Sequence, residues 1–182
     1  MIHSAYTNTL ARKRKICIFT DVINKRIKSV SIMILYHGTN MVVRCPEVRV
    51  SGYNKDFGFG FYCTRYEKQA KRWALTKRGT HIVCVYDYTP NTSLNVKSFS
   101  EMSDEWLDFV AVCRHGKSHS FDIIEGPMAD DEVWDYVEDF LMGRISREAF
   151  WALAKFKHPT HQIVFCTDRA LATLSYKSHY QL

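Results

Sequence analysis

Strand-length apolar runs and helical patterns follow one another in this chain without regular alternation, and that irregularity constrains the fold most. Ile34 to His37 reads as a short buried strand broken by Gly38, and Gly58 to Cys63 as a second strand entered through glycines. His81 to Tyr88 is the clearest strand, Phe121 to Ile124 another, and Gln162 to Cys166 the last. Thr64 caps a helix, with Glu67 completing a capping box and Ala70, Trp73 and Ala74 on one face. Ser103 caps a second helix through Trp106, Leu107, Val110 and Cys113. Asp130, Asp131 and Glu132 open a third, which runs through Val133, Val137, Phe140 and Leu141 to Gly143. Ser146 caps a fourth through about Phe156, and a short helix spans Thr167 to about Tyr176. A doubly wound parallel sheet needs a repeating βαβ rhythm, which this order lacks. No Gly-x-Gly-x-x-Gly follows a strand and opens a helix, and there is no Walker loop or internal repeat. The pattern predicts one α+β domain.

At 182 residues and 46% hydrophobic, the chain can bury a single core. No apolar run approaches the roughly 20 residues of a membrane span. Six cysteines lie at positions 17, 45, 63, 84, 113 and 166, none spaced as Cys-x-x-Cys, so they read as free thiols in a reducing cytoplasm. The net charge of +6 belongs to residues 1–32, which hold seven Lys or Arg and one acid, Asp21. The remainder balances at 18 basic and 18 acidic residues. Residues 1–32 therefore read as a basic extension, either an arm for nucleic acid or acidic membrane or a segment without function, with Met33 an alternative start. The domain proper reads as 33–182.

Three segments carry candidate chemistry. In Leu35-Tyr36-His37-Gly38-Thr39, a histidine at a strand end followed by Gly can set its ring and nearby backbone against a ligand. In Lys55-Asp56-Phe57-Gly58-Phe59-Gly60-Phe61-Tyr62, two glycines among aromatics let backbone approach a flat ligand while rings stack on it. In His161-Gln162-Ile163-Val164-Phe165, Gln162 leads a strongly apolar strand. Each segment alone also reads as ordinary packing: a structural histidine, a glycine-bulged core strand, a surface amide at a strand edge.

Taken in order, Tyr-His-Gly-Thr at 36–39, Phe-Gly-Phe-Gly-Phe-Tyr-x-Thr at 57–64 and Gln-Ile-Val-Phe at 162–165 resemble the His–Tyr–Glu signature of ADP-ribosyltransferases. More closely, the chain resembles the bacterial family DUF3990 over roughly residues 33–175. That likeness is carried by Lys55-Asp56-Phe57-Gly58, Glu105-Trp106-Leu107-Asp108-Phe109-Val110, Asp122-Ile123-Ile124-Glu125-Gly126-Pro127-Met128-Ala129-Asp130-Asp131 and Gln162-Ile163-Val164-Phe165. The resemblance implies an ADP-ribosyltransferase-like split antiparallel β-sandwich with flanking helices and a cleft for NAD, used as a substrate without a metal. It implies that His37 binds the adenosine-side ribose, that backbone around Gly38 holds the nicotinamide amide, and that Tyr62 stacks on the nicotinamide ring. Thr39, Asp56, Phe57, Gly60 and Phe61 complete the expected NAD-binding set.

Gln162 stands where the transferases carry their glutamate. Its amide oxygen can still accept a hydrogen bond, but it supplies no negative charge and cannot act as a base. Removing one such stabilising group costs about 3–4 kcal/mol of catalysis in comparable sites. Either a strong target nucleophile or another acid must compensate, and Asp56, Asp122, Asp130 and Asp131 are the candidates, Asp56 foremost. The implied activity is mono-ADP-ribosylation of a macromolecular acceptor, protein or nucleic acid. The family further implies a toxin with a small cognate antitoxin, in the cytoplasm and not in a membrane. Two alternatives remain: a catalytically weak NAD or ADP-ribose binding module, and an RNA-directed phosphotransferase of related fold that draws on Lys55, Arg65 and Arg114 for phosphate.

Overall fold

The computed structural model describes residues 31–50, 55–129, 132–154 and 159–182. The chain divides into units 1–31 and 32–182, and every element below lies in the second. The expected basic extension, Asp130 and Asp131 lie outside the described residues. In chain order the elements are β1 (Met33–Thr39), β2 (Phe61–Cys63), α1 (Glu67–Leu75), β3 (Ile82–Tyr88), β4 (Val96–Ser98) and α2 (Asp104–Arg114). Then follow β5 (Ile123–Gly126), α3 (Glu132–Leu141), α4 (Arg147–Leu153), β6 (Gln162–Phe165), α5 (Asp168–Leu171) and β7 (Leu174–Gln181).

The strands form two sheets, β1-β3-β7 and β2-β6-β5-β4. All pairings are antiparallel except β4 with β5, which is parallel. Alternation along each strand assigns its two faces. Leu35, Cys84 and Tyr86 of the first sheet meet Phe61, Cys63, Ile123, Ile163 and Phe165 of the second in one core. The other face of the second sheet turns Tyr62, Ile124 and Val164 onto Trp106, Leu107 and Val110 of α2, Val133 and Val137 of α3, and Phe150 of α4. The outer face of the first sheet carries α1, whose Ala70 and Ala74 pack on Val83 beside Tyr36 and Tyr180. Among the described residues the architecture is therefore mixed α+β, with helices outside two facing sheets and no barrel.

The structure corrects several expectations. Thr64 does not cap α1. Its backbone forms a bridge with Tyr36, its hydroxyl accepts from Tyr66 N, and the helix starts without a side-chain cap. Ser103 and Ser146 do cap, accepting from Trp106 N and Ala149 N. Gly58 to Gly60 follow a turn at Asp56 and Phe57 and are not strand, and β2 is three residues long. The expected helix to Tyr176 stops at Leu171 and becomes β7, the third strand of its sheet. Strand β4 has no apolar alternation to announce it. The cysteines at 45, 63, 84, 113 and 166 are free thiols.

Gly38 explains how α1 sits so close to β1. A Cβ at that position would lie 2.0 Å from Ala70 O and 2.7 Å from Ala74 N, backbone atoms that cannot rotate away. Gly38→Ala must push the helix off the sheet. The expected cost is at least about 3 kcal/mol, a Tm lower by roughly 6–12 °C for a chain of this size. A thermal melt matching the wild type would contradict this packing.

Candidate active site

The site begins where β1 and β2 part. Tyr36 and Thr64 exchange both backbone hydrogen bonds, at 2.8 and 2.9 Å. Two residues further on, antiparallel register would pair Gly38 with Tyr62. That pair does not form. Instead His37 Nδ1 lies 2.7 Å from the Tyr62 carbonyl and takes the bond that Gly38 N–H would have made. The N–H and C=O of Gly38 share the strand edge used by Tyr36, so both turn toward the opening.

That opening is a cavity of about 1020 Å³, at the upper end of ordinary small-molecule sites of roughly 300–1,000 Å³. Its wall includes His37, Gly38, Thr39, Asp56, Gly60, Phe61, Tyr62 and Gln162. Phe57 is the exception among the expected residues. It is fully buried, stacked on Phe99 at 5.8 Å with Phe109 edge-on at 6.0 Å, and belongs to the helix-side core. Gly60 lets the turn press against β6, since a Cβ there would fall 2.5 Å from Val164 Cγ1.

His37 is partly buried and its ring lies 4.5 Å from that of Phe61. A carbonyl can only accept, so Nδ1 carries the proton and Nε2 keeps its lone pair. Desolvation lowers the His37 pKa to about 4, assisted by the charges of Lys55, Lys77 and Arg49 and opposed by the bond to Tyr62 O. The imidazole is thus neutral, with Nε2 free of hydrogen and able to accept a hydrogen bond. Tyr62 points to the helix side, with its hydroxyl donating to Gly58 O at 2.6 Å and accepting from Phe57 N at 3.3 Å. Desolvation, then the charge of Asp56, raises the phenol pKa, so it stays protonated. The Lys55 ammonium stands over the Tyr62 ring, 4.6 Å from its centroid.

Gln162 is almost fully buried and anchored through its amide nitrogen, which donates to Asp56 Oδ2 and Pro127 O, both at 3.1 Å. Asp56 is held in turn by Arg114 Nε and Nη2, which reach Oδ1 at 3.1 and 2.6 Å, and by Ala129 N, which reaches Oδ2 at 2.9 Å. The Asp56 and Arg114 side chains are only 3% and 2% exposed, so this is a buried pair. Removing one partner of such a pair costs about 3–5 kcal/mol. Asp56 is therefore next to the site, as expected, but its charge is tied to Arg114. Asp122 is corrected outright: it does not line the cavity and pairs with Arg169 at 2.5 Å.

The arginines expected to serve phosphate are elsewhere. Arg114 is buried, and Arg65 pairs with Glu125 at 2.6 Å beside a second cavity of about 450 Å³ that also holds His161. The cations that do line the main cavity are Lys55, Lys77, Arg44 and Arg49, none in an ion pair among the described residues. Among the described residues the wall carries one acid besides Asp56, Glu47, so among them cations outnumber acids. Desolvation and the like charges of Lys77 and Arg49 lower the Lys55 pKa. Such a cluster calls for an anion. No periodicity or motif marks Arg44, Arg49 and Lys77, because they are isolated in loops and at a helix end. Gln69 is likewise unmarked by sequence. It grips His161 from both sides, donating to its carbonyl at 2.6 Å and accepting from its N–H at 3.1 Å, and so fixes the residue before Gln162.

The model of the family described as a protein of unknown function, DUF3990, matches residues 33–176. The chain belongs to the DUF3990 family. No curated protein matches the chain. In this DUF3990 member the match spans all three segments of the cavity wall, from β1 through β6, and stops inside β7. Among the described residues, no helix is long and apolar enough to cross a membrane.

The depressed His37 pKa has a signed consequence. Protonation favours the unfolded state between its ordinary 6.5 and about 4, so stability falls as pH drops through that window and is unaffected by His37 above it. Ring ¹⁵N spectra are expected to show protonated Nδ1 and bare Nε2 without inflection from about pH 5.5 to 8. A midpoint near 6.5 would remove the neutral-acceptor role.

Proposed function

We propose that this protein is an NAD-dependent mono-ADP-ribosyltransferase acting on a macromolecular acceptor. One observation carries the reading: His37, the Tyr62 strand and Gln162, far apart in sequence, border one cavity rich in cations that have no ion pair among the described residues. In this reading the paired sheets are the split sandwich of the transferases, with NAD in the gap between β1 and β2. His37 Nε2 accepts from the adenosine-side ribose. The open N–H and C=O of Gly38 take the nicotinamide carboxamide. The pyrophosphate displaces water among Arg49, Lys55 and Lys77, and the nicotinamide ring covers Tyr62 once Lys55 moves to the phosphates. The Gln162 oxygen accepts from the nicotinamide-ribose hydroxyl. As the bond from ribose C1″ to the nicotinamide nitrogen breaks, nicotinamide leaves with the electron pair and the acceptor's nucleophile attacks C1″. Holding both reactants in line contributes much of the rate. A toxin role, with a small antitoxin and a cytoplasmic target, extends the same reading.

A second reading has its own support. Gln162 is uncharged and the carboxylate it touches, Asp56, is neutralised by Arg114, so among the described residues no free negative charge stands beside Gln162. That favours an NAD or ADP-ribose binding module. Calorimetry with NAD beside a nicotinamide-release assay on purified protein and cell lysate separates the two. Transfer predicts label on lysate macromolecules and released nicotinamide; a module predicts saturable binding alone. His37→Ala is expected to weaken NAD binding about tenfold, the worth of one well-placed hydrogen bond. Expression in bacteria should arrest growth with the wild type and not with His37→Ala. Equal growth would remove the toxin role.

A further inference from the structure

Among the described residues, the groups that the Gln162 side chain touches accept hydrogen bonds and have no donor to offer. Asp56 Oδ2 already takes Ala129 N, and its other oxygen takes two nitrogens of Arg114. Pro127 O also accepts from Trp106 Nε1 at 3.1 Å, so Gln162 fills its second lone pair. Both amide hydrogens of Gln162 are thereby claimed, by a carboxylate and a carbonyl that can only accept. The amide cannot flip without setting oxygen against oxygen at both contacts. Its own oxygen has no partner among the described residues, and the side chain borders the cavity.

We infer that Asp56 is a positioning residue that aims the Gln162 amide oxygen into the cavity, and that the site is built around an uncharged side chain at 162. A glutamate there would place an anionic oxygen about 3 Å, hydrogen-bond distance, from both Asp56 Oδ2 and the saturated Pro127 carbonyl. Gln162 is then matched to Asp56 rather than a degraded catalytic glutamate. The catalytic meaning of this match rests on the transferase reading; the orientation itself does not.

The test is a series of thermal melts of the full chain at about pH 5, 6, 7 and 8. Among the described residues, the charged groups facing position 162 are Asp56 from the turn before β2 and Arg114 from α2, with Glu138 of α3 on the far side of Arg114. Neutral His37, protonated Tyr62 and Lys55 share the cavity wall. Gln162→Glu is expected to melt close to wild type at pH 5, where the introduced carboxyl holds a proton and can donate it to Asp56. As pH rises, the raised pKa of that carboxyl makes the folded state bind more protons than the unfolded. The variant then loses about 3–5 °C of Tm per pH unit relative to wild type. Asp56→Asn combined with Gln162→Glu removes the facing charge and is expected to abolish that slope, whatever its absolute Tm. A Gln162→Glu profile parallel to wild type, or an unchanged slope in the double variant, overturns the inference. Should Gln162→Glu fail to fold at every pH, Gln162→Met decides. Folding of the methionine variant supports exclusion of charge, and failure of both overturns it. Nicotinamide release by Gln162→Glu at pH 8 should not exceed that of wild type, and a tenfold gain would also overturn the inference. If wild type binds no NAD in calorimetry, the transferase reading fails while the melts still decide the orientation.

Discussion

One hydrogen bond, from the imidazole of His37 to the carbonyl of Tyr62, creates the feature on which the rest depends. It takes the place of the next rung of the ladder begun by Tyr36 and Thr64, where β1 and β2 part. A side chain in place of a backbone donor satisfies Tyr62 O and leaves the polar groups of Gly38 open at the same point. The imidazole stands as a wedge where β1 and β2 part, and the same bond sets its tautomer, leaving Nε2 without a hydrogen.

Around this wedge the molecule separates its charges. Asp56 and Arg114 neutralise one another out of water, in a pair whose many hydrogen bonds offset the desolvation of both ions. The cations at the cavity have no such ion pairs among the described residues and repel one another, which lowers the Lys55 pKa beyond the effect of desolvation. Mutual repulsion of this kind is relieved by a bound anion. The arrangement places an oriented amide and a cluster of cations on one cavity wall, a combination suited to an anionic ligand.

Much of this is legible from residue order. Helices α2 and α4 announce themselves through Ser103 and Ser146 because a cap is a local device, complete within one turn of chain. His37, Gly60, Tyr62 and Gln162 stand out because a polar group at a strand end, or glycine among aromatics, is uncommon in core packing. Phe57 escapes correct placement because sequence cannot tell which face of a turn an aromatic ring takes. Thr64 looks like a cap because Thr-x-x-Glu is a local pattern, and the bridge to Tyr36 that claims its backbone is not local. Strand β7 reads partly as helix because Leu174–Gln181 is a largely exposed edge strand, with little of the apolar alternation that burial imposes on a strand facing the core.

By itself, the sequence determined the α+β class, the family and the three stretches that border the cavity, since these rest on local pattern and on residue types that have few other uses. Tertiary structure alone decided that Asp56 belongs to Arg114 and Gln162, that Gly38 is small to admit α1, and that Arg44, Arg49 and Lys77 face the same space as His37. Hydrogen bonds and ion pairs between distant segments depend on which groups the packing brings within about 3 Å, and no spacing along the chain encodes that.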